Sequence, residues 1–188
     1  VTHALLLGEN GKTDEAAGLL RGLLAKSAED RDLYLTLAQV YERGKRFEDA
    51  ESASRMAEKL AVSPGENEGV WFLLGAIFER QKKFDLAEAQ FKRVLQVNPQ
   101  NAQVLNYFGY MLADQGTRLE EAVDLIRRAL AEEPFNGAYL DSLGWAFFKQ
   151  NNLAEAEAYL RKAVDRNRHD PTIHDHLGDV LAKAGRAA

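Results

Sequence analysis

Small residues recur along the chain, each followed three positions on by a bulky apolar one. Ala4, Ala38, Gly75, Gly109, Gly144 and Gly178 lie 34, 37, 34, 35 and 34 residues apart. A second ladder, Ala16, Ala50, Ala87, Ala122 and Ala156, steps by 34, 37, 35 and 34. Two series that share a period and its irregular steps mark a real internal repeat. Leu74, Phe78, Phe91 and Val94 recur at helical spacing and give each repeat an apolar stripe. Pro99 and Pro134 stop the second helix of their repeats, because proline cannot continue a helix and biases its predecessor away from one. The pattern predicts two helices per period, with complete repeats at 31–67, 68–101, 102–136 and 137–170. Residues 1–30 read as a repeat lacking its start, and 171–188 as the first helix of a further one. Gly75, Gly109, Gly144 and Gly178 fall mid-helix, where glycine costs ~1 kcal/mol against alanine. Close approach of a neighbouring helix offsets that cost, with Ala50, Ala87, Ala122 and Ala156 on the facing side. Gly11, Gly44, Gly116 and Gly185 each end a first helix and are expected to form left-handed caps. Ser63-Pro64-Gly65-Glu66-Asn67 accounts for the long step as a surface extension, and Thr117 or a neighbour adds one residue to a later turn.

The sharpest copy reads Trp71-x2-Leu74-Gly75-x2-Phe78, then Ala87-x3-Phe91, then Pro99. It resembles the tetratricopeptide repeat, and the resemblance runs the length of the chain. It implies an all-α, right-handed superhelical solenoid of about eleven helices, stacked as a single domain over 1–188 in which each repeat contacts its neighbours. It also implies that first helices line a concave surface and second helices the convex one. Members of the family are generally not enzymes. The chain opens Val1-Thr2-His3 without an initiator Met, so a longer parent protein is expected. Its last segment ends at Gly185-Arg186-Ala187-Ala188, where a second helix should begin. Leu177, Val180 and Leu181 would then present apolar surface, to be covered by further chain or by another molecule. Self-association through this C-terminal helix is therefore the competing structural role.

Composition changes the picture by exclusion. The chain is 46% hydrophobic and 28% charged, which is unlike a disordered segment. It has no cysteine, so disulfides, thiolate metal sites and cysteine catalysis are absent from it. No apolar run reaches the ~18 residues of a membrane span. The net charge of −5 supplies no basic footprint for nucleic acid.

Three chemical motifs fail on inspection. Gly8-Glu9-Asn10-Gly11-Lys12-Thr13 lacks the leading glycine of a phosphate loop, because that position is Leu6, and no strand precedes it. His169, His174 and His176 cluster with Asp170, Asp175 and Asp179. His174 and His176 are two apart on a helix and point in different directions, so no metal site is assigned. His174 is expected to pack between helices where other repeats carry Trp71 or Leu105. No serine sits in a nucleophile elbow, and neither a catalytic role nor a cofactor is assigned.

Subtracting the packing residues from the first helices leaves a candidate binding surface: Phe72, Asn106, Tyr107, Tyr110, Asp141, Trp145, Asp175, His176 and Asp179. Its aromatics with polar edges and its carboxylates concentrate in the C-terminal half. Trp145 corresponds to Gln39, Ala76, Tyr110 and Asp179 in other repeats, none of them needed for packing. The implied ligand is a protein or peptide with apolar and basic side chains. A clamp for a C-terminal carboxylate is not expected, because Asn106 has no accompanying Lys/Arg pair. Leu105-Asn-Tyr-Phe-Gly-Tyr-Met-Leu-Ala-Asp-Gln-Gly116, Gly137-Ala-Tyr-Leu-Asp-Ser-Leu-Gly-Trp145 and His174-Asp-His-Leu-Gly-Asp179 resemble bacterial cell-envelope members of the family. Some of those are lipoprotein adaptors that hold a periplasmic processing protease against its substrates.

Overall fold

A computed structural model describes residues 1–186; Ala187 and Ala188, the end of the last expected half repeat, lie outside the described residues. Eleven α-helices and no strand occur among the described residues. The chain divides into two compact units, Val1–Pro99 and Gln100–Ala188.

The first unit holds α1 (Thr2–Glu9), α2 (Thr13–Leu23), α3 (Arg31–Arg43), α4 (Phe47–Leu60), α5 (Glu68–Arg80) and α6 (Phe84–Val97). The second holds α7 (Ala102–Asp114), α8 (Leu119–Glu132), α9 (Gly137–Lys149), α10 (Leu153–Arg166) and α11 (Pro171–Lys183). Turns of three or four residues join the two helices of each repeat, and such short turns lay them antiparallel. In the second unit α7 packs on α8, α9 on α10, and α9 also touches α7 and α11.

The mid-helix glycines are explained by what lies against them. A Cβ at Gly75 would meet the Phe91 ring at 2.3 Å, and one at Gly144 would meet Leu160 Cγ at 2.6 Å. At Gly109 it would stand 2.7 Å from Ile126 Cγ1 and 2.9 Å from the Ala122 carbonyl oxygen. The partner alanines Ala50, Ala87, Ala122 and Ala156 are fully buried, as are Leu74, Phe91 and Val94. Gly178 departs from the expectation, with no atom within 4 Å of its Cβ position. No second helix pairs with α11 among the described residues.

Turn chemistry repeats with the same steps as the glycine ladder. Gly11, Lys45, Lys82, Gly116, Asn151 and Gly185 take φ of 75, 57, 58, 69, 62 and 71°. The next residue's N–H then donates five positions back, as in Arg46 to the Tyr41 carbonyl at 2.8 Å and Lys83 to that of Phe78 at 2.8 Å. This Schellman closure satisfies carbonyls the helix end leaves free. Gly44 was expected to be one of these left-handed residues and is not: its φ is −75°, and Lys45 takes the position. Gly44 answers to packing instead, because a Cβ there would lie 2.4 Å from Thr13 Oγ1. The single-residue insertion lies in the turn of residues 115–118, where Arg118 has φ 48°. The 63–67 extension is exposed over most of its length and folds as a 3₁₀ turn, Pro64–Asn67.

The starts of α7, α9 and α11 are fixed by side chains. Asn101 accepts from the Val104 N–H, Asn136 from Ala138 and Tyr139, and Asp170 from Thr172, with Pro171 in the first helical turn. These caps satisfy N–H groups the helix itself cannot.

Candidate functional site

Within the second unit the predicted site residues lie on α7, α9 and α11. Trp145 is the hub. Its ring stacks on His176 of α11 with centroids 4.1 Å apart and planes at 19°. It also stacks on Phe148, one turn along α9, at 5.0 Å. Its indole N–H donates to Asp114 Oδ1 of α7 at 3.3 Å. Trp145 is half-buried, so one side chain ties three first helices together and still presents surface.

His176 and Asp141 are withdrawn from solvent, 8% and 7% exposed. The Nδ1–H of His176 donates to both carboxylate oxygens of Asp141, at 2.9 and 3.1 Å. The two residues are 35 apart and belong to consecutive repeats. A buried carboxylate needs such a partner, and here the pair holds α11 against α9 while orienting the imidazole beneath Trp145.

The remaining predicted residues of the second unit lie on α7 and α11. Asn106, Tyr107 and Tyr110 are half-buried on α7, and the Oδ1 of Asn106 is buried without a hydrogen-bond partner among the described residues. Asp175 and Asp179 stand exposed on α11. Phe72 belongs to the first unit, where it is half-buried with its ring 6.3 Å from that of Phe91.

The candidate surface singled out above leaves aside the cations around the hub. Lys149 donates to the Asp114 carbonyl at 2.9 Å and lies 4.9 Å from the Trp145 ring centroid, and Lys183 lies 4.7 Å from that of Phe148. Asp114, Lys149 and Lys183 occupy one repeat position, so the ladder itself was the signal that could have found them. In the first unit Arg43 pairs with Glu9 and Arg80 with Glu42 across first helices, both at 2.9 Å.

The histidine cluster does not converge. His174 is exposed, contrary to the expected place between helices, and its Nε2 lies 2.8 Å from the Arg168 carbonyl oxygen. The ring turns to the linker that precedes α11. No group of three His, Asp or Glu side chains able to hold a metal occurs among the described residues. No described helix is long and apolar enough to cross a membrane.

What this surface offers chemically is stacked aromatic faces, a half-exposed indole and carboxylates on α11. Such a surface is suited to anchoring a side chain of another protein.

Comparison with known proteins agrees with the architecture. Tetratricopeptide-repeat profiles match residues 72–139 and 142–188, and another of the same description matches 9–57. The chain belongs to the tetratricopeptide repeat family. Such proteins are in general scaffolds for protein–protein interaction and are generally non-enzymatic. The chain is 44% identical over 92 residues to the TPR repeat-containing protein PA4667 of Pseudomonas aeruginosa, covering 49% of this chain and 15% of that protein. It is 27% identical over 157 residues to the type IV pilus assembly protein PilF of the same organism, covering 82% of this chain and 61% of PilF. Thus it spans less than two thirds of either relative. The crystal structure of PilW, a widely conserved type IV pilus biogenesis factor, superposes with a TM-score of 0.76 at 26% identity, over 83% of this chain and 70% of PilW. A tetratricopeptide repeat protein from Parabacteroides merdae shares the fold at 13% identity, with a TM-score of 0.80 over 99% of this chain and 72% of its own.

Proposed function

We propose that the chain is a non-enzymatic interaction scaffold whose α7–α9–α11 side holds a partner segment with apolar and basic side chains. The observation that carries this reading is Trp145, half-exposed and braced by Asp114, Phe148 and His176. A rigidly held indole loses little conformational freedom on binding, which is the property of an interface anchor. Exposed Asp175 and Asp179 supply the attraction for Lys or Arg on the guest. Asn106, Tyr107 and Tyr110 extend the surface along α7, and affinity is roughly micromolar because the guest must be ordered. Phe72 is the corresponding contact of the first unit. Likeness to a pilus assembly protein and a pilus biogenesis factor supports an adaptor that presents clients to another machine or enzyme in a bacterial cell envelope.

The test is fluorescence anisotropy with a labelled peptide of alternating Leu and Lys. Asp175→Lys combined with Asp179→Lys alters two exposed positions and should weaken binding about tenfold without changing helicity. Unchanged affinity would remove the carboxylates from the site.

A second reading, self-association through α11, draws on the open space before Gly178 and the half-buried Leu177 and Leu181. Light scattering over a concentration series distinguishes it: growth with concentration favours stacking, and a constant monomer mass removes it.

A further inference from the structure

On the second-helix side of the C-terminal unit lies a cavity of about 720 Å³, walled by α8, α10 and the linker between α8 and α9. Its floor is apolar, made by Leu130, Leu140 and Leu143. Phe135 stands at the wall with 70% of its surface exposed, and Tyr159 is half-buried opposite. A volume of this size accommodates one or two side chains of a guest. An exposed aromatic that is contiguous with an apolar hollow forms the kind of patch that marks an interaction site.

Three cations line the same cavity, Arg127, Lys162 and Arg166, against one carboxylate, Asp165. Arg127 lies 5.6 Å from the Phe147 ring centroid, Lys162 4.7 Å from that of Tyr159 and Arg166 4.6 Å from that of Phe135. Most arginines of the chain are engaged with carboxylates, as Arg46 is with Asp49, Arg55 with Glu51 and Arg161 with Glu157. Arg127, Lys162 and Arg166 meet no carboxylate within ion-pair distance among the described residues. They rest on aromatic faces instead. In a chain of net charge −5, this is a local concentration of unneutralised positive charge around an apolar hole.

We infer that this cavity is a second docking site, for an acidic peptide segment of a partner protein that inserts an aromatic or aliphatic side chain. Its apolar floor takes the anchor, and the three cations take flanking Asp or Glu side chains as charge-assisted pairs. Its chemistry is opposite to that of the Trp145 surface, so the two sites select different segments.

The experiment titrates the 188-residue chain with a fluorescein-labelled peptide of sequence DEFLDE, alongside KKFLKK and DESSDE. Saturable binding of DEFLDE alone is expected, with amide shifts confined to α8, α9, α10 and the linkers that join them. Lys162→Glu with Arg166→Glu should weaken it by about tenfold or more, and Phe135→Ala by several-fold. Residues 135, 162 and 166 are exposed, so the variants keep their helicity, checked by circular dichroism. Trp145→Ala should leave this affinity alone. The inference is overturned by absent binding, by equal binding of KKFLKK or DESSDE, by full affinity in the double charge variant, or by loss on Trp145→Ala. Preferential binding of phosphatidylglycerol vesicles over DEFLDE would also overturn it, by making the patch a membrane contact.

Discussion

Trp145 lies flat against His176, 4.1 Å from centroid to centroid, and His176 in turn donates to the buried carboxylate of Asp141. Position in the repeat explains the chain of contacts. Asp141 in one repeat reaches the residue one position further along in the next, so an inter-repeat bond fixes the imidazole on which the indole rests. Structure and proposed binding surface therefore share the same side chains.

Removing one partner should expose this dependence. His176→Ala leaves Asp141 buried without its donor, and the second unit is expected to lose about 3 kcal/mol. Urea denaturation followed by circular dichroism measures the loss, and hydrogen exchange should show α11 opening first. Unaltered protection of α11 would mean that the pair does not hold it.

Glycine substitutions should carry opposite signs. Gly178→Ala meets nothing and should stabilise α11 by about 1 kcal/mol through helix propensity. Gly109→Ala drives a methyl toward the Ala122 carbonyl oxygen and Ile126, so it should destabilise by about 1–3 kcal/mol. Thermal melts of both variants decide the point.

Much of this architecture was legible in the alternation of small and bulky residues. The ladder located both helices of each repeat, and the glycines it singled out at 75, 109 and 144 do face a side chain or backbone that excludes a Cβ. The turns were harder. Gly44 and Lys45 are adjacent, and composition favours the glycine for a positive φ, yet the hydrogen-bond register places it on Lys45. His174 and His176 posed a related problem: only the fold shows that His176 is the one turned onto Asp141 and Trp145 of α9, while His174 is exposed. Asp141 and His176 were both picked out, but sequence does not show that a residue in one repeat bonds to its neighbour in the next. The cavity beside Phe135 was not legible, because residues of α8, α9, α10 and a linker converge on it only in the fold.

Acid should act on the first unit through Asp30. Its carboxylate accepts from the Ala25 and Ser27 amides at 3.0 and 3.1 Å, and these bonds, Ala25 first, hold its pKa below the usual aspartate value. A group whose folded pKa is depressed contributes stability above its unfolded pKa, near ~3.9, and loses it as pH falls through the folded value. The urea midpoint of Asp30→Ala should therefore lie below that of the parent at neutral pH, the gap closing below about pH 4. A gap independent of pH would assign the effect to packing.

The central claim is that Trp145 and its neighbours on α7 receive a guest. The most direct measurement is the dissociation constant of the Leu/Lys peptide for the parent chain and for Tyr110→Ala combined with Trp145→Ala, with helicity recorded on the same samples. The account predicts affinity weaker by about tenfold or more with the helices intact. Equal affinity in a folded double variant would contradict it.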